Sequence, residues 1–139
     1  MEPAQSAPPQ ITLTQVSVEP GEGKGNWQIL WRIANLNSRP LELRAVRLPH
    51  GQFKSTERRF EPAIGLAAKQ DAQFQALVHC DEPAGLVTEN AFLIFLVVRI
   101  GERWRIFVRV RVAVNSAGTP AATTEWITTQ RVGFSGIAD

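Results

Sequence analysis

The clearest pattern in the chain lies between Phe92 and Val114. Trp104, Ile106, Val108, Val110, Val112 and Val114 fall on one parity, and Arg103, Arg105, Phe107, Arg109 and Arg111 on the other. A period of two is the signature of a strand with one buried face, since successive side chains point to opposite sides of a sheet. The preceding run, Phe92–Ile100, is apolar on both parities, as a strand is when both of its faces are covered. The two runs predict a hairpin joined at Gly101-Glu102. A two-residue turn and a longer loop that includes Arg103 both fit, and they pair the first arm with Trp104 on different parities.

The same alternation recurs upstream. Ile11–Val18 reads as a strand whose parity slips before Val16, which predicts a bulge. A glycine-rich turn at 20–26 leads to Trp27, Ile29, Trp31 and Ile33 on one face, a face too apolar to leave wet. Leu41, Leu43, Val46 and Leu48 make the next strand, with a second slip near Ala45. Phe53–Phe60 is polar and reads as a short edge strand guarded by Lys54, Glu57, Arg58 and Arg59, with Pro62–Ala68 a loop after it. Gln70–Cys80 sets Phe74, Ala76, Val78 and Cys80 on one side, and Asp81–Glu89 is a connection with room for a helical turn. Residues 115–124 read as a linker before a last strand at Glu125–Val132, followed by Phe134. The predicted organisation is therefore an N-terminal arm at 1–10, a β domain at 11–114, a linker at 115–124 and a C-terminal strand extension at 125–139. About seven strands with frequent turn signals make the fold class all-β, a two-sheet β-sandwich with an extra C-terminal strand; a small barrel is the alternative.

Asn35, Pro40-Leu41-x-Leu43-x-x-Val46, Gly51, Phe60-x-Pro62 and the strand ending at Val78 resemble the immunoglobulin-like sandwich modules of bacterial lipoprotein accessory domains and of the water-stress, late-embryogenesis-type family. The resemblance covers Ile11 to Val114. It implies a non-enzymatic immunoglobulin-like β-sandwich and carries over no catalytic residue. The chain departs from antibody-type domains in lacking their Cys…Trp…Cys arrangement, and the tail after Val114 has no counterpart in the resemblance.

Composition narrows the function classes. The chain has 139 residues, 44% of them hydrophobic, with a formal net charge of +2, so no strong global field draws it to polyanions. The charge is local instead. From Arg99 to Arg111 five arginines face the single acid Glu102. Cys80 is the only cysteine, which excludes an intrachain disulfide. The first ten residues have neither the basic start nor the apolar run of a secretory leader, and Ala91–Ile100 is too short for a membrane helix. A cytoplasmic protein with no membrane contact is the expectation.

Few residues point to chemistry. His50 and His79 are the only histidines, and His79 adjoins Cys80 on a strand, where neighbours face opposite ways and form a poor catalytic dyad. Three scattered soft ligands do not match zinc or copper spacing, and Asp71, Asp81 and Asp139 are too isolated for calcium. Gly21-x-Gly23-x-Gly25 lacks the ending of a phosphate loop. No catalytic, cofactor or metal residue is assigned.

The arginine face is the feature that stands out. Arg103, Arg105, Phe107, Arg109 and Arg111 form a stripe about 25 Å long on a regular strand, and with Trp126 they are the candidate interaction surface. The expected function is a non-catalytic structural or protein-protein interaction module, acting through a protein partner or as a homo-oligomer. Its tail strand is expected to bury Trp126, either on the parent sheet or, by exchange, on a second subunit. One alternative is single-stranded nucleic-acid binding through 103–111, against which stands the lone ring of Phe107. A second is an enzyme using His50 or His79.

Overall fold

The computed structural model describes residues 7–133, which form eight strands: β1 (Ile11–Pro20), β2 (Asn26–Asn35), β3 (Leu41–His50), β4 (Phe53–Leu66), β5 (Asp71–His79), β6 (Val87–Arg99), β7 (Glu102–Val114) and β8 (Pro120–Arg131). All pairings are antiparallel, and the strands run in the order β1-β2-β5-β4-β3-β6-β7-β8. The two ends of that order approach each other, so the sheet nearly closes into a barrel. The all-β class is as the alternation predicts.

One interior serves every strand. Trp31, Ile29, Ile33, Leu43, Leu48, Phe53, Phe95, Leu93 and Ile106 are fully buried there, and the residues of the opposite parity face solvent. Trp104 lies on the core side at 5% exposure, as its alternation requires. Phe74 links two faces of the core, meeting Phe60 at 5.5 Å and Phe95 at 5.8 Å, both edge-to-face. Both predicted parity slips are present as register shifts, between Gln15 and Ser17 and between Leu43 and Ala45.

The β6–β7 hairpin differs from its predicted register. Arg99 pairs with Glu102, so the turn is Ile100-Gly101, one position earlier than Gly101-Glu102. Both turn residues have positive φ, 50° and 74°, the pairing a type I′ hairpin needs to match strand twist. Glycine alone did not locate the turn because a β-branched isoleucine holds the other left-handed position. Leu93, Phe95 and Val97 then face inward with Trp104 and Ile106, while Phe92, Ile94, Leu96 and Val98 face out beside the arginines.

Three further expectations are corrected. β4 continues through Pro62 to Leu66 rather than ending at Phe60 before a loop. The connection at 115–124 is shorter than a linker of that length, because β8 begins at Pro120. The Asn115 side chain accepts bonds from the Ala117 and Thr119 amides and folds residues 115–119 into a tight turn. β8 consequently pairs along its own β7, from Val114↔Pro120 to Trp104↔Arg131. Trp126 is not buried there. It lies on the outer face at 56% exposure, since a register shift between Arg109 and Val110 sends Ile127 inward instead. Of the arm at 1–10, Ala7–Gln10 are described; Pro9 is buried, and Gln10 exchanges two bonds with the Asn37 side chain. Phe134 lies outside the described residues.

Candidate interaction surface

β6, β7 and β8 together build a broad outer face. Register sets its rows: Phe92 beside Arg109 beside Trp126, Ile94 beside Phe107 beside Thr128, and Leu96 beside Arg105 beside Gln130. Val98 and Arg103 add a fourth row. On the flanking β3, Arg47 stands opposite Ile94. A column of four apolar side chains, Phe92, Ile94, Leu96 and Val98, is thus half-buried on the outside of the sheet. Arginine stems can lie over such a column while their heads stay in water.

The arginines are not equivalent. Arg109 is engaged, with its Nε 3.4 Å from a Glu125 carboxylate oxygen and its guanidinium 4.6 Å over the Trp126 ring. Trp126 therefore has an exposed face and a stacked one. Arg103, Arg105 and Arg111 are exposed, as is Arg47, and among the described residues none of these four has a carboxylate in salt-bridge range. Phe107 is half-buried between Ile94 and Thr128. The structure thus brings all six predicted surface residues, Arg103, Arg105, Phe107, Arg109, Arg111 and Trp126, onto one face. Sequence reading missed the outward column of β6 and Arg47, because which parity of an all-apolar strand faces out depends on the turn register.

A second arginine set closes the end of the hairpin. Arg99 is buried at 7% exposure, stacks at 5.5 Å on Trp104, and donates to the Ala7 carbonyl. Glu102 lies 3.8 Å from Arg99 and 3.5 Å from Arg131. Burial pushes the Arg99 guanidinium below its ordinary value; Glu102 pulls it back up, and Arg39 adds repulsion. This cluster ties the N-terminal segment to the base of β6 and β7, a structural role.

His50 and His79 sit in separate local settings. His50 Nδ1 accepts from the Gln52 amide at 3.1 Å within the β3–β4 turn. His79 Nδ1 donates to Asn26 Oδ1 at 2.9 Å, the Asn26 amide being oriented by its own bond to the Glu22 carbonyl. His79 is exposed whereas Cys80 is buried, so the adjacent pair faces opposite sides. Burial first, then Glu82 and Asp81, push the Cys80 thiol up, away from a reactive thiolate. Among the described residues no three His, Cys, Asp or Glu side chains gather to hold a metal ion. No helix of the described residues is long and apolar enough to cross a membrane.

No protein-family model matches this chain, and no curated protein is significantly similar to it in sequence.

Proposed function

We propose that this chain is a non-catalytic interaction module of the immunoglobulin-like sandwich type, which engages an acidic protein segment on the outer face of β6, β7 and β8. The fold part of this reading rests on two weak places in the sheet. β4 and β5 share one paired position, Lys54↔His79, and β1 meets β8 through side chains. Dividing the sheet at both gives a three-stranded layer, β1-β2-β5, and a five-stranded layer, β4-β3-β6-β7-β8, the extra strand being β8.

One observation carries the functional part: an outward apolar column bordered by Arg47, Arg103, Arg105 and Arg111, none of which has a carboxylate in salt-bridge range among the described residues. Apolar area supplies affinity, and unpaired guanidinium groups supply bidentate sites for carboxylates. An isologous dimer through this face would set arginines of one copy against those of the other, so charge favours a different, acidic partner over self-association. Nucleic acid is disfavoured by the ring count. Phe107 is half-buried and Trp126 is covered on one face by Arg109, which leaves little platform for stacked bases.

Fluorescence anisotropy with two probes tests the reading: a labelled peptide alternating glutamate with leucine, and a labelled single-stranded oligonucleotide. The peptide should bind at low salt and slow hydrogen exchange across β6, β7 and β8, and the Arg105→Glu/Arg111→Glu variant should lose that protection. Tight, saturable oligonucleotide binding with no peptide binding would replace this reading with the nucleic-acid one. Binding of neither probe would leave the face as a solvated surface and end the proposal.

A further inference from the structure

On the other side of the molecule, β5 runs straight and undefended. It pairs with β2 over nine consecutive positions, from Asn26↔His79 to Ala34↔Asp71, without a register shift. On its opposite edge it pairs only at His79 with Lys54. Arg58 Nη1 donates to the Gln75 carbonyl from the β4 side, which fixes the parity: the backbone groups of Gln73, Gln75 and Leu77 point to the open edge. Proteins usually blunt such edges with lysine, proline or a bulge. β4 carries these devices in Lys54, Arg58, Arg59 and Pro62, whereas Gln73, Gln75 and Leu77 carry none. Leu77 is instead 65% exposed.

Where β4 diverges from β5 a cleft of about 730 Å³ opens, lined by Leu48, Leu77 and Val78, by Lys54 and His79, and by Glu22, its one carboxylate among the described residues. A smaller hollow of about 370 Å³ extends along Arg58 and Gln75. Cations dominate the β4 wall. Lys54 has no carboxylate partner among the described residues, Arg58 is held by a backbone oxygen, and Glu57 is already paired to Arg59 at 3.0 Å. We propose that this slot accepts an extended peptide segment of a partner protein as an added strand on β5, with carboxylate side chains meeting Lys54 and Arg58 and an apolar side chain resting on Leu77. Strand addition of this kind draws affinity from main-chain bonds and selectivity from alternate side chains. On binding, the peptide amide opposite Gln75 takes over the carbonyl that Arg58 now occupies, freeing the guanidinium for a carboxylate.

The test uses the full chain and two synthetic peptides, one alternating valine with glutamate and one alternating valine with lysine. The valine–glutamate peptide should slow hydrogen exchange at the Gln73, Gln75 and Leu77 amides and bind at least about tenfold more tightly than the lysine peptide. Gln75→Pro removes an edge-facing N–H that no ladder uses, so it should keep the fold and abolish binding. Leu77→Lys should weaken binding if the proline variant does not fold. Arg105→Glu/Arg111→Glu should leave the slowed exchange at Gln73, Gln75 and Leu77 unchanged, which separates this edge from the arginine face. The proposal is overturned if neither peptide protects β5, if that protection survives Gln75→Pro at the remaining β5 amides, or if sedimentation shows a second copy of this chain on the β5 edge.

Discussion

The sheet has two places where backbone pairing fails, and the molecule treats them differently. Between β1 and β8 the break is stitched by side chains that imitate a strand. The Gln15 amide donates from Nε2 to the Pro120 carbonyl at 3.3 Å and accepts the Ala122 amide on Oε1 at 2.9 Å. Thr124 Oγ1 donates to the Leu13 carbonyl at 2.9 Å. Between β4 and β5 the backbones diverge, and the closure is apolar beneath and electrostatic above: Phe60 meets Phe74 inside, while Arg58 lies 5.1 Å over the Phe60 ring and donates across the gap. A carboxamide copies the donor and acceptor of a peptide group, so the first break is nearly a continuous ladder. A guanidinium supplies only donors, so at the second break it answers one acceptor, the Gln75 carbonyl, and leaves the edge-facing N–H groups of β5 to water or to a partner. Closing a sheet need not mean closing it equally everywhere, and the break left open is where a binding partner of strand chemistry fits.

The comparison predicts where the molecule is weakest. Phe74→Ala should have the largest effect, costing about 3–5 kcal/mol, because the ring bridges Phe60 and Phe95 at the gap with no ladder to compensate. A loss below about 1 kcal/mol in denaturant melts would mean that the open break is held by something other than the aromatic stack. Gln15→Ala should cost about 1–2 kcal/mol by leaving the Ala122 amide and Pro120 carbonyl unpaired. Replacement by glutamate, which cannot donate, should recover only part of that cost above the carboxylate range. Ile100→Asn lies in neither break and calibrates both: it relieves a β-branched residue from φ 50° while surrendering a side chain already 62% exposed. It should raise stability by about 1 kcal/mol; unchanged stability would show that the hairpin turn carries no strain. Arg58→Ala should be smallest, within about 0.5 kcal/mol, since the side chain is exposed. Its effect should appear in native-state hydrogen exchange, which should be faster at Gln75 and Leu77 than at Ala122 in the parent protein and faster still in the variant.

Much of the architecture was legible because a strand writes its own period. The alternation in 103–114 placed Trp104 inward and the arginines outward, and the slips near Val16 and Ala45 marked two register shifts where a strand changes parity. The candidate face was legible in the same way for β7, since one strand suffices to define a stripe. Asn35 shows where local reading stopped. As a sequence feature it was one residue of a short motif. In the fold it is fully buried and satisfied, donating to the carbonyls of Arg39, Leu66 and Ala67 and accepting from Asn37, so that it clamps the turn after β2 to the end of β4.

What the sequence determined by itself, then, is the all-β class, the faces of the strands that alternate and the absence of an intrachain disulfide, because these depend on neighbours in the chain. Tertiary structure decided whatever depends on which strands meet. The Ile100-Gly101 turn chose the outward parity of an all-apolar β6, and so exposed the column that the arginines border. The short turn held by Asn115 returned β8 to its own β7, and the shift beside Arg109 turned Trp126 outward against the expectation from its hydrophobicity. The divergence of β4 from β5 left an edge that no alternation could reveal, since a strand's pattern records which faces are dry and carries no mark of whether its backbone has found a partner.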